Sequence, residues 1–159
     1  MPRTPRHRRR ALTLVESLMA AMVLLVVVVA VSQALLAGQM QVYDAAHRAR
    51  AIELAEALMD EVLRLPYADA DTDNETTRAT FDDLDDFDGY SESGTLRDAA
   101  GTAYPSEYQV FTRTVAVSTT SKSVSGFGAA FDGLEVTVTV SDGTGLTWTL
   151  QEFVPEPQS

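Results

Sequence analysis

Between Glu16 and Asp44 the chain carries 27 consecutive residues without a charge, and from Leu12 to Leu65 it contains no proline and one glycine, Gly38. About 20 apolar residues suffice for a helix to cross a bilayer. Leu18 to Leu36 is apolar on nearly every side, the pattern of a helix embedded in lipid. Val23, Val26 to Val29 and Val31 lower helix propensity in water, but in lipid the backbone must satisfy its own hydrogen bonds and helix is the available answer. Glu16 stands at the mouth of this run. An unpaired carboxylate there costs at least ~2.5 kcal/mol on entering hydrocarbon, so a functional reason for it is the default expectation. Arg3, Arg6, Arg8, Arg9 and Arg10 precede it and predict a cytoplasmic N-terminus, with the remainder of the chain on the far side.

From Met40 the pattern changes. Ala51, Leu54, Ala55, Leu58, Val62 and Leu65 recur at spacings of three and four, one apolar stripe that Ile52 and Met59 widen. Arg50, Glu53, Glu56, Asp60 and Arg64 occupy the opposite face. Asp44 with Arg48 and Asp60 with Arg64 are acid-first i,i+4 pairs, each worth about a few tenths of a kcal/mol. Pro66 closes the run. The spacing predicts one helix of about 54 residues, roughly 80 Å at 1.5 Å per residue, with a membrane half over 12–38 and an amphipathic half over 39–65.

The amphipathic stripe needs a cover, which the C-terminal third supplies. Glu135 to Val140 alternates strictly with its valines on one face, Asp142-Gly143-Thr144-Gly145 is a turn, and Leu146 to Leu150 alternates again. Tyr108 to Val117 is a third strand candidate, weakened by Arg113 on the face it shares with Phe111, Val115 and Val117. Ser118 to Ser125 reads as a polar loop and Gly126-Phe127-Gly128 as irregular. The expectation is an α+β fold: a long N-terminal helix on a small antiparallel sheet over 107–154, an acidic connection over 66–106, and a tail over 155–159.

The N-terminal residues Arg8-Arg9-Arg10-Ala11-Leu12-Thr13-Leu14-Val15-Glu16 resemble the class III signal of type IV prepilins and pseudopilins: a basic leader, a small residue at the cut, then a hydrophobic residue with Glu five positions into the mature chain. Ala11 stands where the family usually has Gly, and alanine is the tolerated substitute. The resemblance implies a pilin-like fold, removal of residues 1–11 by prepilin peptidase between Ala11 and Leu12, and N-methylation of Leu12. It gives Glu16 a partner, the amine of a neighbouring subunit, and an assembly role. Implied partners are other pilin or pseudopilin subunits, an inner-membrane assembly platform and the lipid bilayer. The implied location is the inner membrane, single-pass, then a filament. Thr80 to Tyr90, with Leu63 to Tyr67 and the Arg113 strand, is similar more narrowly to minor prepilin-like proteins of mannose-sensitive haemagglutinin pilus clusters. A type II secretion pseudopilin shares the same N-terminal pattern. An ordinary signal peptide has an apolar core of about 7 to 15 residues, shorter than this run, though Ser32-Gln33-Ala34 offers a small-x-small site. A plain anchor tethering an extracytoplasmic binding module leaves Glu16 unexplained.

Removal of residues 1–11 leaves 7 basic against 23 acidic side chains, a net charge of −16, which argues against a nucleic-acid partner. No cysteine is present, so no disulfide staples the outer domain. Catalysis finds no support: His47 alone remains outside the leader, read as solvent-facing, without a nucleophile–base grouping. Metal binding is the more plausible chemistry. Asp69, Asp71 and Asp73 have the opening spacing of an EF-hand loop, but Asn74 replaces the glycine at position six and Thr80 the glutamate at position twelve. Asp82, Asp83, Asp85, Asp86 and Asp88 crowd five carboxylates into seven residues. They read as a solvated acidic loop pinned by Phe81, Leu84 and Phe87. Calcium is the cofactor to consider there, because the family resemblance includes calcium-binding pseudopilins.

Overall fold

The computed structural model describes residues 7–67, 75, 77–123, 128 and 130–157, with the backbone alone for 7–12. One long helix, α1 (His7–Val62), is followed by four strands: β1 (Ser91–Ser93), β2 (Phe111–Ser123), β3 (Ala130–Asp142) and β4 (Thr147–Pro155). Short 3-10 turns occur at Asp85–Phe87 and Ser106–Tyr108. The fold is α+β. Two compact units meet within α1, at the Ala46–His47 bond.

In the N-terminal unit every described side chain from Thr13 to Ala45 is exposed, including the valines and leucines of the apolar run. The helix is long and apolar enough to cross a membrane, a test that a signal sequence also passes. Two of its hydroxyls bond back to the helix: Ser17 donates to the Thr13 carbonyl at 2.7 Å and Ser32 to that of Val28 at 2.8 Å. Such back-bonding removes the polar cost that these serines would otherwise carry in lipid.

The C-terminal unit begins at His47. The predicted stripe is the buried face of α1: Ala51, Leu54, Ala55, Leu58, Met59 and Val62 are all in the core. The helix stops at Val62 rather than Leu65. Its end tightens into i→i−3 bonds, Arg64 N–H to the Glu61 carbonyl and Leu65 N–H to that of Val62, because Pro66 cannot continue the ladder.

The four strands form an antiparallel meander in the order β1-β2-β3-β4. Alternation sets its faces. Phe111, Arg113 and Val115 of β2 and Leu134, Val136, Val138 and Val140 of β3 lie buried on the side that packs with the helix stripe, with Trp148, Leu150 and Val154 of β4 half-buried beside them. Register keeps like with like: Val115 opposes Val138, and Val138 opposes Leu150. Leu84, Phe87 and Leu96 from the connection complete the core. Gly133 permits a close approach in the sheet, since a Cβ there would lie 2.3 Å from the Val154 carbonyl oxygen.

Two expectations are corrected and one strand is new. The Tyr108–Val117 strand begins at Phe111, because Tyr108 closes a 3-10 turn. The segment expected to be a polar loop from Ser118 continues β2 to Ser123, held by pairing with Ala130–Glu135 and by the Lys122–Glu135 ion pair. The tripeptide β1 was not foreseen; it pairs with β2 over Thr112–Thr114. Gly126 and Phe127 lie outside the described residues.

Candidate functional site

Glu16 sits on the fully exposed part of α1, sharing one face with Val15, Met19, Ala20, Val23, Leu24 and Val27. Among the described residues no cation pairs with it. The arrangement is one carboxylate at the end of an apolar ridge. It offers no catalytic grouping, but it can neutralise a positive charge brought alongside the helix in a low-dielectric surrounding. The backbone at Ala11 and Leu12 is helical, and their side chains lie outside the described set.

The acidic segment is organised by its own backbone. The Asp83 carboxylate accepts N–H bonds from Asp85 at 3.0 Å and Asp86 at 3.1 Å, capping the 3-10 turn. The Asp86 carboxylate accepts the Asp82 N–H at 3.0 Å, and Asp88 accepts the Val117 N–H of β2 at 2.9 Å. Burial first, then hydrogen bonding to and repulsion from Asp83, raise the Asp85 carboxyl above its ordinary value. Phe81, Phe87 and Tyr90 form an edge-to-face cluster that pins the segment, with centroids 4.8 to 6.1 Å apart. Of the five aspartates only Asp82 and Asp86 come together with a further carboxylate, Glu75, their ligand atoms within 4.8 Å of one another. Asp69, Asp71 and Asp73 lie outside the described residues.

His47 is not solvent-facing. Its Nε2 lies 2.9 Å from the Asp142 carboxylate, and its ring packs 4.6 Å from Phe111 and 5.8 Å from Trp148. Asp142 also receives the Thr144 hydroxyl and the N–H groups of Thr144 and Leu146. Hydrogen bonding from Thr144, offset in part by desolvation and reinforced by His47, holds the Asp142 carboxyl well below the usual carboxylate range.

A charged network went unforeseen. Arg113 is buried on the apolar face of β2, where Glu92 of β1 lies directly opposite and pairs with it. The Arg97 carbonyl accepts from the same guanidinium at 2.7 Å, which lies over the Tyr104 ring at 5.6 Å. Arg78 joins Glu92 to Glu61 of α1. Burial works against the Arg78 charge, and Glu61, Tyr90 and Glu92 together more than offset it. The signal was present in the sequence: an arginine on an otherwise apolar strand face demands an acid nearby.

Compared with known proteins, the chain matches no protein-family model, no curated protein and no solved structure.

Proposed function

We propose that this chain is a minor type IV pilin-like subunit, cut between Ala11 and Leu12 by a prepilin peptidase, methylated at Leu12 and drawn into a pilus or pseudopilus through α1. The observation that carries the reading is Glu16, a lone carboxylate at the head of a helix whose described surface up to Ala45 is wholly uncovered. In this reading the lipid bilayer covers that surface before assembly and neighbouring subunits cover it afterwards. The methylated amine keeps its positive charge, and Glu16 neutralises the amine of an adjacent copy. An unmatched charge in an apolar filament core is costly, so the pair sets register during addition. The role is assembly rather than catalysis, and the inner-membrane assembly platform is the partner that inserts the subunit.

The test is the mature N-terminus. Intact-mass analysis or N-terminal sequencing of native material should show a chain beginning at methylated Leu12. A start near Gln33 to Leu35 would indicate ordinary signal-peptidase processing, and retention of Met1 a simple anchor; either result defeats the reading.

A further inference from the structure

Within the apolar stretch from Leu18 to Leu36 the polar side chains are Ser32 and Gln33. Ser32 satisfies itself on the Val28 carbonyl. Gln33 does not: its side chain is exposed, and among the described residues nothing bonds to it. It also lies deep. The uncharged run from Ser17 to Tyr43 has its midpoint at Ala30, about 4.5 Å from Gln33 along the helix axis at 1.5 Å per residue. With α1 across a bilayer, the amide stands in hydrocarbon without water to bond, a costly position unless another chain supplies a partner.

The residues around Gln33 form a seam. Met22, Val26, Val29, Gln33, Leu36 and Met40 recur at alternating spacings of four and three, which puts Gln33 at a core position of a heptad. All six side chains are exposed. Leu25, Val26, Val29 and Ala30 line a groove on this face that ends at Gln33, the kind of hole that receives a knob from a facing helix. The small Ala30 lets that helix come close. Orientation and chemistry select the occupant. The arginines before the run hold the N-terminus of every copy on the cytoplasmic side, so two copies lie parallel with the same residue at the same depth. An amide both donates and accepts, so it can bond to the same amide of a second copy. Two Glu16 carboxylates could only repel, but Glu16 lies roughly a quarter-turn round the helix from Gln33, beside the seam and not in it. We infer that α1 pairs with α1 of a second copy inside the bilayer, as a parallel two-stranded coil centred on a hydrogen bond between the two Gln33 amides. The amides fix the register and the apolar side chains supply the packing. Repulsion between the two acidic outer units opposes the pair, but at physiological salt it is screened over about 8 Å. The inference rests on the part of the proposed function in which α1 crosses the bilayer, and not on cleavage or on Glu16.

The chain has no cysteine, so single introduced cysteines report contacts without background. The experiment is oxidation with copper phenanthroline of full-length single-cysteine variants in inner-membrane vesicles of the native host, after filaments have been sheared away. Products are read by non-reducing electrophoresis and mass. Val26→Cys and Val29→Cys should give a disulfide-linked homodimer in at least five-fold higher yield than Leu24→Cys and Val31→Cys, which lie on the opposite side of the helix. In the Val29→Cys chain, adding Gln33→Leu should lower the yield at least five-fold, whereas Gln33→Asn, which keeps the amide, should retain most of it. Adding Glu16→Ala instead should leave the yield unchanged. The filament reading excludes that variant from filaments, so its dimers come from the membrane pool. Equal yields around the helix, no effect of Gln33→Leu, a Gln33→Asn chain as poor as Gln33→Leu, or an adduct with the mass of a different protein would each overturn the inference. Loss of the dimer with Glu16→Ala would do so as well, by making the seam a filament contact. Entry of Glu16→Ala into filaments would defeat the filament reading and leave the seam standing.

Discussion

Arg113 has one carboxylate partner, Glu92, and the two face each other across the β1–β2 pair. The guanidinium is fully buried, and its Nε and Nη1 have no acceptor among the described residues, so the charge leans on that single carboxylate, helped by the Arg97 carbonyl and the Tyr104 ring face. Removing one partner of a buried pair leaves an uncompensated charge and costs about 3–5 kcal/mol. Glu92→Gln should therefore lower the unfolding free energy by about 3 kcal/mol, measured by urea titration. Adding Arg113→Met, which removes the stranded charge, should recover most of the loss. If Glu92→Gln alone melts like the wild type, Arg113 is neutralised by something other than Glu92.

At the scale of elements, His47 and Asp142 join the helix to the β3–β4 turn, with Phe111 and Trp148 closing around the imidazole. The Asp142 carboxyl is depressed in the folded state. It contributes stability that is present above the ordinary carboxylate value of about 3.9 and is lost as pH falls through and below it. Asp142→Asn should thus be less stable than the wild type at pH 7, and the gap between their melting temperatures should persist down to about pH 4.5 and narrow as the pH falls through and below about 3.9. A gap that stays constant with pH would mean that Asp142 acts through shape and not charge. The stripe from Ala51 to Val62 and the Glu135–Leu150 hairpin were legible because each buries one face and so writes its period into the residue order. Neither β1 nor the distal half of β2 has such a face: Ser91-Glu92-Ser93 and Ser118–Ser123 are polar on both sides and are specified by the strand opposite. His47 was misread for a related reason, since its partner lies 95 residues away in a turn whose own geometry orients the carboxylate.

At the scale of the whole molecule the chain is divided in chemistry as it is in structure. The N-terminal unit exposes apolar side chains along its length, whereas the C-terminal unit closes a core and carries nearly all the acidic charge. The candidate site was legible as an exception to the first pattern: Glu16 is conspicuous because its neighbours on the same stretch of helix face, Val15, Met19, Ala20, Val23, Leu24 and Val27, are all apolar. The acidic loop was harder to weigh, because a row of aspartates reads alike whether it binds cations or caps its own backbone. The folded chain turns Asp83, Asp86 and Asp88 onto N–H groups, a purpose that residue order does not disclose.

The central claim is that Glu16 supplies a counter-charge during assembly. The direct measurement is the amount of protein in sheared filaments for wild type, Glu16→Ala and Glu16→Gln, each produced in its native host. Both variants should insert, since losing a charge eases membrane entry. Both should be cut before Leu12, because the leader and Ala11 are unchanged. Glu16→Ala should be absent from filaments, and Glu16→Gln, which can hydrogen-bond but not neutralise an amine, should be nearly so. Incorporation of Glu16→Gln at the wild-type level would show that charge pairing is not what Glu16 provides, and normal incorporation of both variants would contradict the assembly role altogether.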